Sequence, residues 1–137
     1  WGHSKCAGDL GNKLISGMHH SWLAMINAGN FVIADHVLIE KKWVEEIAHL
    51  FHDQTAYFIG VLCPLDIVEK RELERQDRTL GSARTQFPLV HKYAQYDLTI
   101  DSSVMTPEQA AEKIIHFLAL GAPPKGFIKT REKLGGL

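Results

Sequence analysis

Apolar residues recur at helical spacing in two stretches of the N-terminal half of the chain. In residues 13–28 an apolar face precedes Gly29, which is positioned as a helix stop, and residues 41–52 show the same spacing. The inward positions of the two predicted helices are Ile15, Met18, Trp22 and Met25, then Trp43, Ile47, Leu50 and Phe51. Both stretches therefore predict amphipathic helices that bury one face.

A further helix is predicted after Thr106 by its start signal. Thr106 can cap the helix, Pro107 suits the first helical position, and Gln109 completes a capping box. Its predicted inward positions are Ala110, Ile114, Phe117 and Leu118. The segment that follows, residues 121–137, is polar and rich in glycine and proline, and we expect a flexible tail there.

Three other stretches have the composition of β-strands. FVIAD (31–35) and TAYFIGVLC (55–63) are apolar without alternation, which is typical of strands covered on both faces in a parallel sheet. YDLTID (96–101) alternates more and suits an outer strand. The order of these elements predicts an α/β fold, with a parallel sheet and flanking helices in one domain over residues 1–120.

Composition limits the class of protein. The 137 residues carry 15 Lys and Arg against 16 Asp and Glu, so no overall field favours nucleic acid or an anionic membrane. The longest apolar run is far shorter than the roughly 18–20 residues of a membrane span. The two cysteines, Cys6 and Cys63, form no CxxC pair. We therefore expect a cytoplasmic protein that binds neither nucleic acid nor membrane.

Candidate site residues stand where the predicted strands end, and parallel α/β sheets bind ligands beyond that edge. Asp35 ends the first predicted strand, Cys63 ends the second, and Asp101, Ser102 and Ser103 follow the third. An acid at the end of an apolar strand fits a carboxylate that holds Mg²⁺ through water or orients a hydroxyl nucleophile. An acid that only caps the next segment would give the same pattern.

Five cations lie in KRELERQDRTLGSAR, residues 70–84, shortly after the second predicted strand. They are Lys70, Arg71, Arg75, Arg78 and Arg84. One interpretation is a solvated helix face, neutralised locally by Glu72 and Glu74. The other is a lid, whose arginines bind phosphate and which hinges at Gly81. The residues alone do not decide between these two interpretations.

Two other kinds of site have weaker signals. His49, His52 and Asp53 are close in sequence, but no further ligands stand at metal-binding spacing. His91 fits a packed or surface histidine. No GxxxxGK[ST] phosphate loop is present, and the glycines of AGDLGNKLIS have the wrong spacing and follow no strand.

In combination, these motifs resemble the chloramphenicol phosphotransferase family of small P-loop kinases. The resemblance covers most of the chain and is most specific in four features: the strand that runs into CPL, the RExxRxDR run before a glycine, the VH pair, and the YD…DSS ending. It implies a P-loop kinase fold and transfer of the ATP γ-phosphate, with Mg²⁺, to a hydroxyl of chloramphenicol or a similar small molecule.

The resemblance also implies roles for individual residues. The implied catalytic residues are Asp35 and Arg78, and Asp35 would also contact Mg²⁺ through water. The implied nucleotide-binding residues lie in the lid and in the loop after the last strand, and they are Arg71, Arg75, Arg78, Asp101, Ser102 and Ser103.

The resemblance further indicates what these 137 residues do not contain. Members of the family begin with a strand, a phosphate loop, a helix and a second strand whose aspartate acts as the base. We therefore expect this chain to be the C-terminal part of a longer protein, with a sheet that lacks its first strands and no catalysis by itself. The alternatives are a non-catalytic module that binds nucleotide or phosphate, and an interaction domain whose arginines meet an acidic partner.

Overall fold

The computed structural model describes residues 8–75 and 79–136, which form six helices and two strands. In chain order these are α1 (Asp9–Asn27), α2 (Lys41–Phe51), β1 (Ile59–Leu62), α3 (Leu65–Glu74), α4 (Ser82–Val90), β2 (Leu98–Asp101), α5 (Pro107–Ala119) and α6 (Gly126–Lys133). The strands pair in parallel, with Ile59 opposite Leu98 and Leu62 opposite Asp101. The predicted α/β class is confirmed as a small parallel sheet with flanking helices. None of the described helices is both long and apolar enough to cross a membrane.

The first two helices form where the apolar spacing predicts them. Gly29 takes a φ of +85° just beyond α1, and its N–H donates to the carbonyl of Ile26 at 2.9 Å. The face of α2 that was predicted to be inward packs into the main core. The buried members of that core are Leu38, Trp43, Val44, Ile47, Phe51 and Phe127.

The buried residue of α1 is a histidine rather than one of the predicted apolar residues. His19 is fully buried, and its Nδ1 lies 2.5 Å from Oε2 of Glu46 on α2. The ring of His36 packs against it with 5.2 Å between centroids, and burial together with the neighbouring His19 lowers the pKa of His36. Apolar periodicity does not reveal polar packing of this kind, so this cluster could not be predicted from the spacing of apolar residues.

The prediction of a strand at residues 31–35 is wrong. The segment pairs with no other strand in the described part of the chain, and the side chains of Phe31 and Ile33 are fully exposed. A strand needs a neighbour for its backbone N–H and C=O groups, and apolar composition alone does not supply one. The strands predicted at 55–63 and 96–101 do form, over the shorter ranges of β1 and β2.

The prediction of a flexible tail over 121–137 is wrong for residues 126–133, which form α6. Phe127 is buried, and its ring stacks on that of Phe58 with 4.7 Å between centroids. Asp97 caps the start of this helix. Its Oδ1 accepts the N–H groups of Lys125 and Gly126 at 2.7 and 2.8 Å. The predicted tail therefore completes the core.

The capping box of α5 is confirmed. Oγ1 of Thr106 accepts the N–H of Gln109 at 3.3 Å, and Oε1 of Gln109 accepts the N–H of Thr106 at 2.9 Å. The inward face of α5 is less covered than predicted, since none of its residues is fully buried and Leu118 is exposed. The narrow sheet explains this, because α5 packs on β2 and two strands offer little surface.

Gly60 lies in β1 at a point where a side chain would collide with the ring of Tyr96. A Cβ at this position would overlap Cδ2 of that ring. We expect Gly60→Ala to lower the free energy of unfolding by about 1–3 kcal/mol, as overpacked cores do. Denaturant unfolding measures it, with Gly17→Ala as control, because a Cβ there contacts nothing within 4 Å. Equal stability of the two variants would contradict this position of the Tyr96 ring.

The contact of His91 with Tyr96 predicts that folding is sensitive to pH. Its Nδ1 lies 2.7 Å from the hydroxyl of Tyr96, and burial both lowers the pKa of His91 and raises that of Tyr96 to about 12. The folded state therefore takes up a proton on His91 less readily than the unfolded chain does. Its contribution to stability is complete above the ordinary histidine pKa of about 6.5 and falls as the pH decreases below it.

We expect His91→Gln, which retains a hydrogen-bond acceptor, to weaken the decrease in Tm between about pH 7 and about pH 5. His116→Gln on the exposed part of α5 serves as the control, because it removes a histidine without removing that contact. Identical pH dependence of the Tm in His91→Gln and in the unmodified chain would exclude His91 as a source of this sensitivity.

Candidate functional site

The two strands end at the same edge of the sheet, and a pocket of about 440 Å³ lies there. It is formed by the ends of both strands and by one cation of α5. The lining residues are Leu62, Cys63, Pro64, Thr99, Ile100, Asp101 and Lys113. The pocket therefore lies at the carboxyl edge where the sequence predicted a site.

Arg71 links α3 to the loop that follows β2. Its Nη2 donates to the carbonyl oxygen of Ser102 at 2.6 Å, and its Nη1 donates to Oγ of Ser102 at 3.3 Å. The same Nη1 lies 3.6 Å from Sγ of Cys63. Two hydrogen bonds to one residue fix the plane of the guanidinium. The structure thus brings together two of the predicted nucleotide-binding residues, Arg71 and Ser102.

Asp101 orders the turn after β2. Its Oδ1 accepts the Oγ–H of Ser103 at 2.5 Å and the N–H of Ser103 at 2.9 Å. These bonds, with a smaller effect from Lys113, hold the pKa of the Asp101 carboxyl below its ordinary value. Ser102 donates its own N–H to the carbonyl of Leu62 at 2.8 Å. The predicted loop 101–103 is therefore a turn tied to both strands.

The lid segment, residues 70–84, is not one continuous helix. α3 ends at Glu74, and Arg75 is its C-cap with an extended backbone. Gly81, with a φ of +87°, then precedes α4. The helical spacing that would align Arg71 with Arg75 stops at Glu74, and Arg78 lies outside the described residues.

Two acids of α3, Glu69 and Glu72, contact α4 and its cap. Glu69 accepts two hydrogen bonds from Arg84, at 2.5 Å from Nε and 3.0 Å from Nη2, and this contact lowers the pKa of Glu69. Glu72 accepts the N–H groups of Gly81 and Ala83, both at 2.8 Å, and thereby caps α4. These contacts could not be predicted from the sequence. The first amides of any helix need acceptors, but nothing in the sequence indicates that Glu72 supplies them.

The described cations of residues 70–84 differ in whether another described residue binds them. Arg84 is held by Glu69 and Arg71 by Ser102, whereas Arg75 is exposed and shows no side-chain hydrogen bond or ion pair with another described residue. The local pair of Glu72 with Arg75, one of those that the solvated-helix interpretation offered, is not formed, since Glu72 binds the amides of α4.

Asp35 lies in the unpaired segment that follows α1, and it is exposed. The described residues contain no group of three or more His, Cys, Asp or Glu side chains that could hold a metal ion. His49 and His52 do stack, with 5.8 Å between ring centroids, and His52 lies 3.0 Å from Asp53, but they belong to no such group.

Known proteins resemble this chain over most of its length. A family profile described as "Chloramphenicol phosphotransferase-like protein" matches residues 2–119. Two curated relatives, from Mycobacterium tuberculosis strains CDC 1551 and H37Rv, are each 29% identical over 111 residues, and each carries the name "Putative O-phosphotransferase". The match covers 80% of this chain and 49% of each relative, so the chain spans about half the length of these relatives. No solved structure gives a significant match.

The cap that Glu72 places on α4 can be tested by hydrogen exchange. We expect Glu72→Gln to accelerate exchange of the Gly81 and Ala83 amides by about fivefold, because losing a charged cap costs about 1 kcal/mol. Glu74→Gln is the matched control, since it removes the same charge from the exposed end of the same helix. Equal acceleration in both variants would assign the effect to net charge rather than to capping.

Proposed function

We propose, because this chain belongs to the chloramphenicol phosphotransferase-like family, that it supplies the lid and the sheet edge of an ATP-dependent phosphotransferase. The family, which the sequence motifs predicted, is confirmed by the match over residues 2–119. The names of the two M. tuberculosis relatives support the same class of reaction. The proposed reaction transfers the γ-phosphate to a hydroxyl of chloramphenicol or a similar small molecule, within a P-loop-kinase-like fold.

The observation that carries the proposal is the fixed guanidinium of Arg71, whose Nη1 lies 3.6 Å from Sγ of Cys63 in the lining of the pocket. A guanidinium has five N–H donors, and the hydrogen bonds to Ser102 use only Nη1 and Nη2. Nη1 also donates to Sγ of Cys63, so the Nε–H and the second N–H of Nη2 are the donors that remain for an anion at the carboxyl edge. Arg75, exposed at the end of the same helix, adds a second cation that no described acid neutralises. Two such arginines suit the oxygens of a triphosphate.

The described residues fit ATP more directly than Mg²⁺. Arg71, Arg75 and the Ser102 and Ser103 hydroxyls are donors of the kind that bind phosphate and ribose oxygens. In this proposal Asp35 would hold Mg²⁺ through water, as the family resemblance implies. When bound, Mg²⁺ neutralises charge that develops on the phosphates.

Two residues carry the proposed catalytic roles. Asp35 would orient the substrate hydroxyl, as an exposed carboxylate can. Arg78, which lies outside the described residues, would stabilise charge on the transferring phosphoryl group. The phosphate loop that such a reaction requires is not among these 137 residues, so we expect this chain to act with further polypeptide.

The proposal is tested with charge reversal in the protein expressed from its complete coding sequence. We expect Arg75→Glu to reduce kcat/KM for phosphate transfer from ATP to chloramphenicol, or to another small hydroxyl compound, by about 10²–10³-fold. Lys129→Glu makes the same change in charge on an exposed face of α6, and we expect it to retain activity. Mass spectrometry of the acceptor detects the added phosphoryl group.

Calorimetry with MgATP separates the alternatives. Binding of MgATP that Arg75→Glu abolishes, without transfer to any hydroxyl compound, would favour a non-catalytic nucleotide-binding module. Absence of both binding and transfer would defeat the kinase and the nucleotide-binding module together. If Arg75→Glu then disrupted a complex with an acidic protein, the arginines would belong to an interaction domain.

A further inference from the structure

Two buried histidine nitrogens have no hydrogen-bond partner among the described residues. They are Nε2 of His19 on α1 and Nε2 of His36 in the segment between α1 and α2, and both atoms are shielded from solvent. The large majority of buried polar side-chain atoms in native proteins are hydrogen-bonded, so each exception calls for a water molecule, an ion or a functional role. The phosphotransferase site does not account for these two nitrogens.

Glu46 on α2 determines which nitrogen of His19 carries the proton. Its Oε2 lies 2.5 Å from Nδ1 of His19, and its Oε1 accepts the Oγ–H of Ser16 at 2.5 Å. Burial alone would raise the pKa of Glu46, but the hydrogen bonds from Ser16 and His19 outweigh burial and lower that pKa. A carboxylate only accepts hydrogen bonds, so Nδ1 of His19 is the donor. Nε2 of the neutral ring therefore carries the lone pair.

The contacts of His19 are those of a histidine that binds a metal ion. Such a histidine almost always donates its other ring N–H to a carboxylate, a carbonyl or water, which fixes its tautomer and the orientation of its ring. His19 has this carboxylate in Glu46, while its Nε2 lies buried without a partner. Burying an unpaired polar atom costs free energy, and an ion bound at Nε2 would remove that cost.

The rings of His19 and His36 have the separation that a shared metal ion requires. Their centroids are 5.2 Å apart, and their planes are inclined by 62°. Two imidazoles on one tetrahedral zinc ion, with Zn–N bonds of about 2.0–2.1 Å, have centroids roughly 5 Å apart. The rings of Trp22 and Trp43 pack against His36, with 6.0 and 5.7 Å between centroids. The two histidines thus lie side by side within an aromatic shell.

We propose that Nε2 of His19 and Nε2 of His36 together bind one divalent transition-metal ion of the class that imidazole suits, such as Zn²⁺. Within residues 8–75 and 79–136, no third His, Cys, Asp or Glu side chain completes the pair, so the other coordination positions belong to water or to a small ligand. The ion joins α1 to the segment that contains Asp35. It differs from the Mg²⁺ of the proposed function, which prefers oxygen ligands, and the inference does not require phosphate transfer.

Calorimetry with Zn²⁺ on the protein expressed from its complete coding sequence tests this site. We expect His19→Gln and His36→Gln each to weaken the binding of one Zn²⁺ per chain by at least about tenfold, because each variant removes one of the two protein ligands. His20→Gln is the matched control on α1. Nδ1 of His20 is already hydrogen-bonded to the carbonyl of Ser16, and we expect this variant to retain binding.

The role of Glu46 is tested separately. We expect Glu46→Gln to weaken Zn²⁺ binding by about tenfold or more, as the loss of a carboxylate that orients a ligating histidine does. Glu45→Gln removes the same charge at the next position of α2, where the carboxylate pairs with Lys41 instead, and we expect it to retain binding.

The outcomes are distinct. Binding that both histidine variants weaken and that His20→Gln retains supports the proposal. It is overturned if Zn²⁺ does not bind, if the isotherm of His36→Gln is unchanged, or if His20→Gln weakens binding equally. If circular dichroism shows that His19→Gln does not fold, His36→Gln decides, because His36 lies outside the helices. Zn²⁺ binding without phosphate transfer upholds this inference and counts against the proposed function.

Discussion

The carboxylate of Asp97 connects the sheet to the helices that build the core. Its Oδ2 accepts the N–H of Phe58, at the entry to β1, and its Oδ1 accepts the N–H groups of Lys125 and Gly126, at the start of α6. Asp97 itself precedes β2, so one side chain fixes the beginnings of both strands and of the helix that packs on α2. Removing it would leave three backbone donors without their acceptor. Gly126 permits this approach, since a Cβ there would lie 2.6 Å from Oδ2 of Asp97.

The helices that the sequence predicts well are those that carry their own signals. α5 has its cap and its capping-box partner within four residues, and the apolar faces of α1 and α2 repeat over their whole length. α6 differs, because its first amides are capped by Asp97, 28 and 29 positions earlier. The stretch GAPPKGF therefore looks like a loop in sequence, although its second glycine marks close packing. α4 likewise takes its cap from Glu72 on another helix.

The sequence predicts those site residues that follow directly from the end of a strand. Asp101 and Ser102 follow from the end of β2, whereas the contact of Arg71 with Ser102 spans 31 positions and depends on how α3 leaves the sheet. The strand predicted at 31–35 failed because pairing depends on a neighbour, which no local composition reveals. The position of Arg75 depends on where α3 ends, at Glu74. Two residues before that end, Glu72 accepts a hydrogen bond from an amide of α4. Helical periodicity predicts none of these contacts, because they join residues that are far apart in the sequence.

The contacts between α3 and α4 also affect the order in which the chain folds. β1 and β2 pair residues roughly forty positions apart, and closing so long a loop costs entropy before the sheet contributes any stability. The contacts of Glu69 with Arg84 and of Glu72 with Gly81 span only 15 and 9 positions. The helix pair can therefore assemble first and shorten the free loop between the strands. We therefore expect Glu69 and Glu72, which join α3 to α4, also to speed the closure of the sheet.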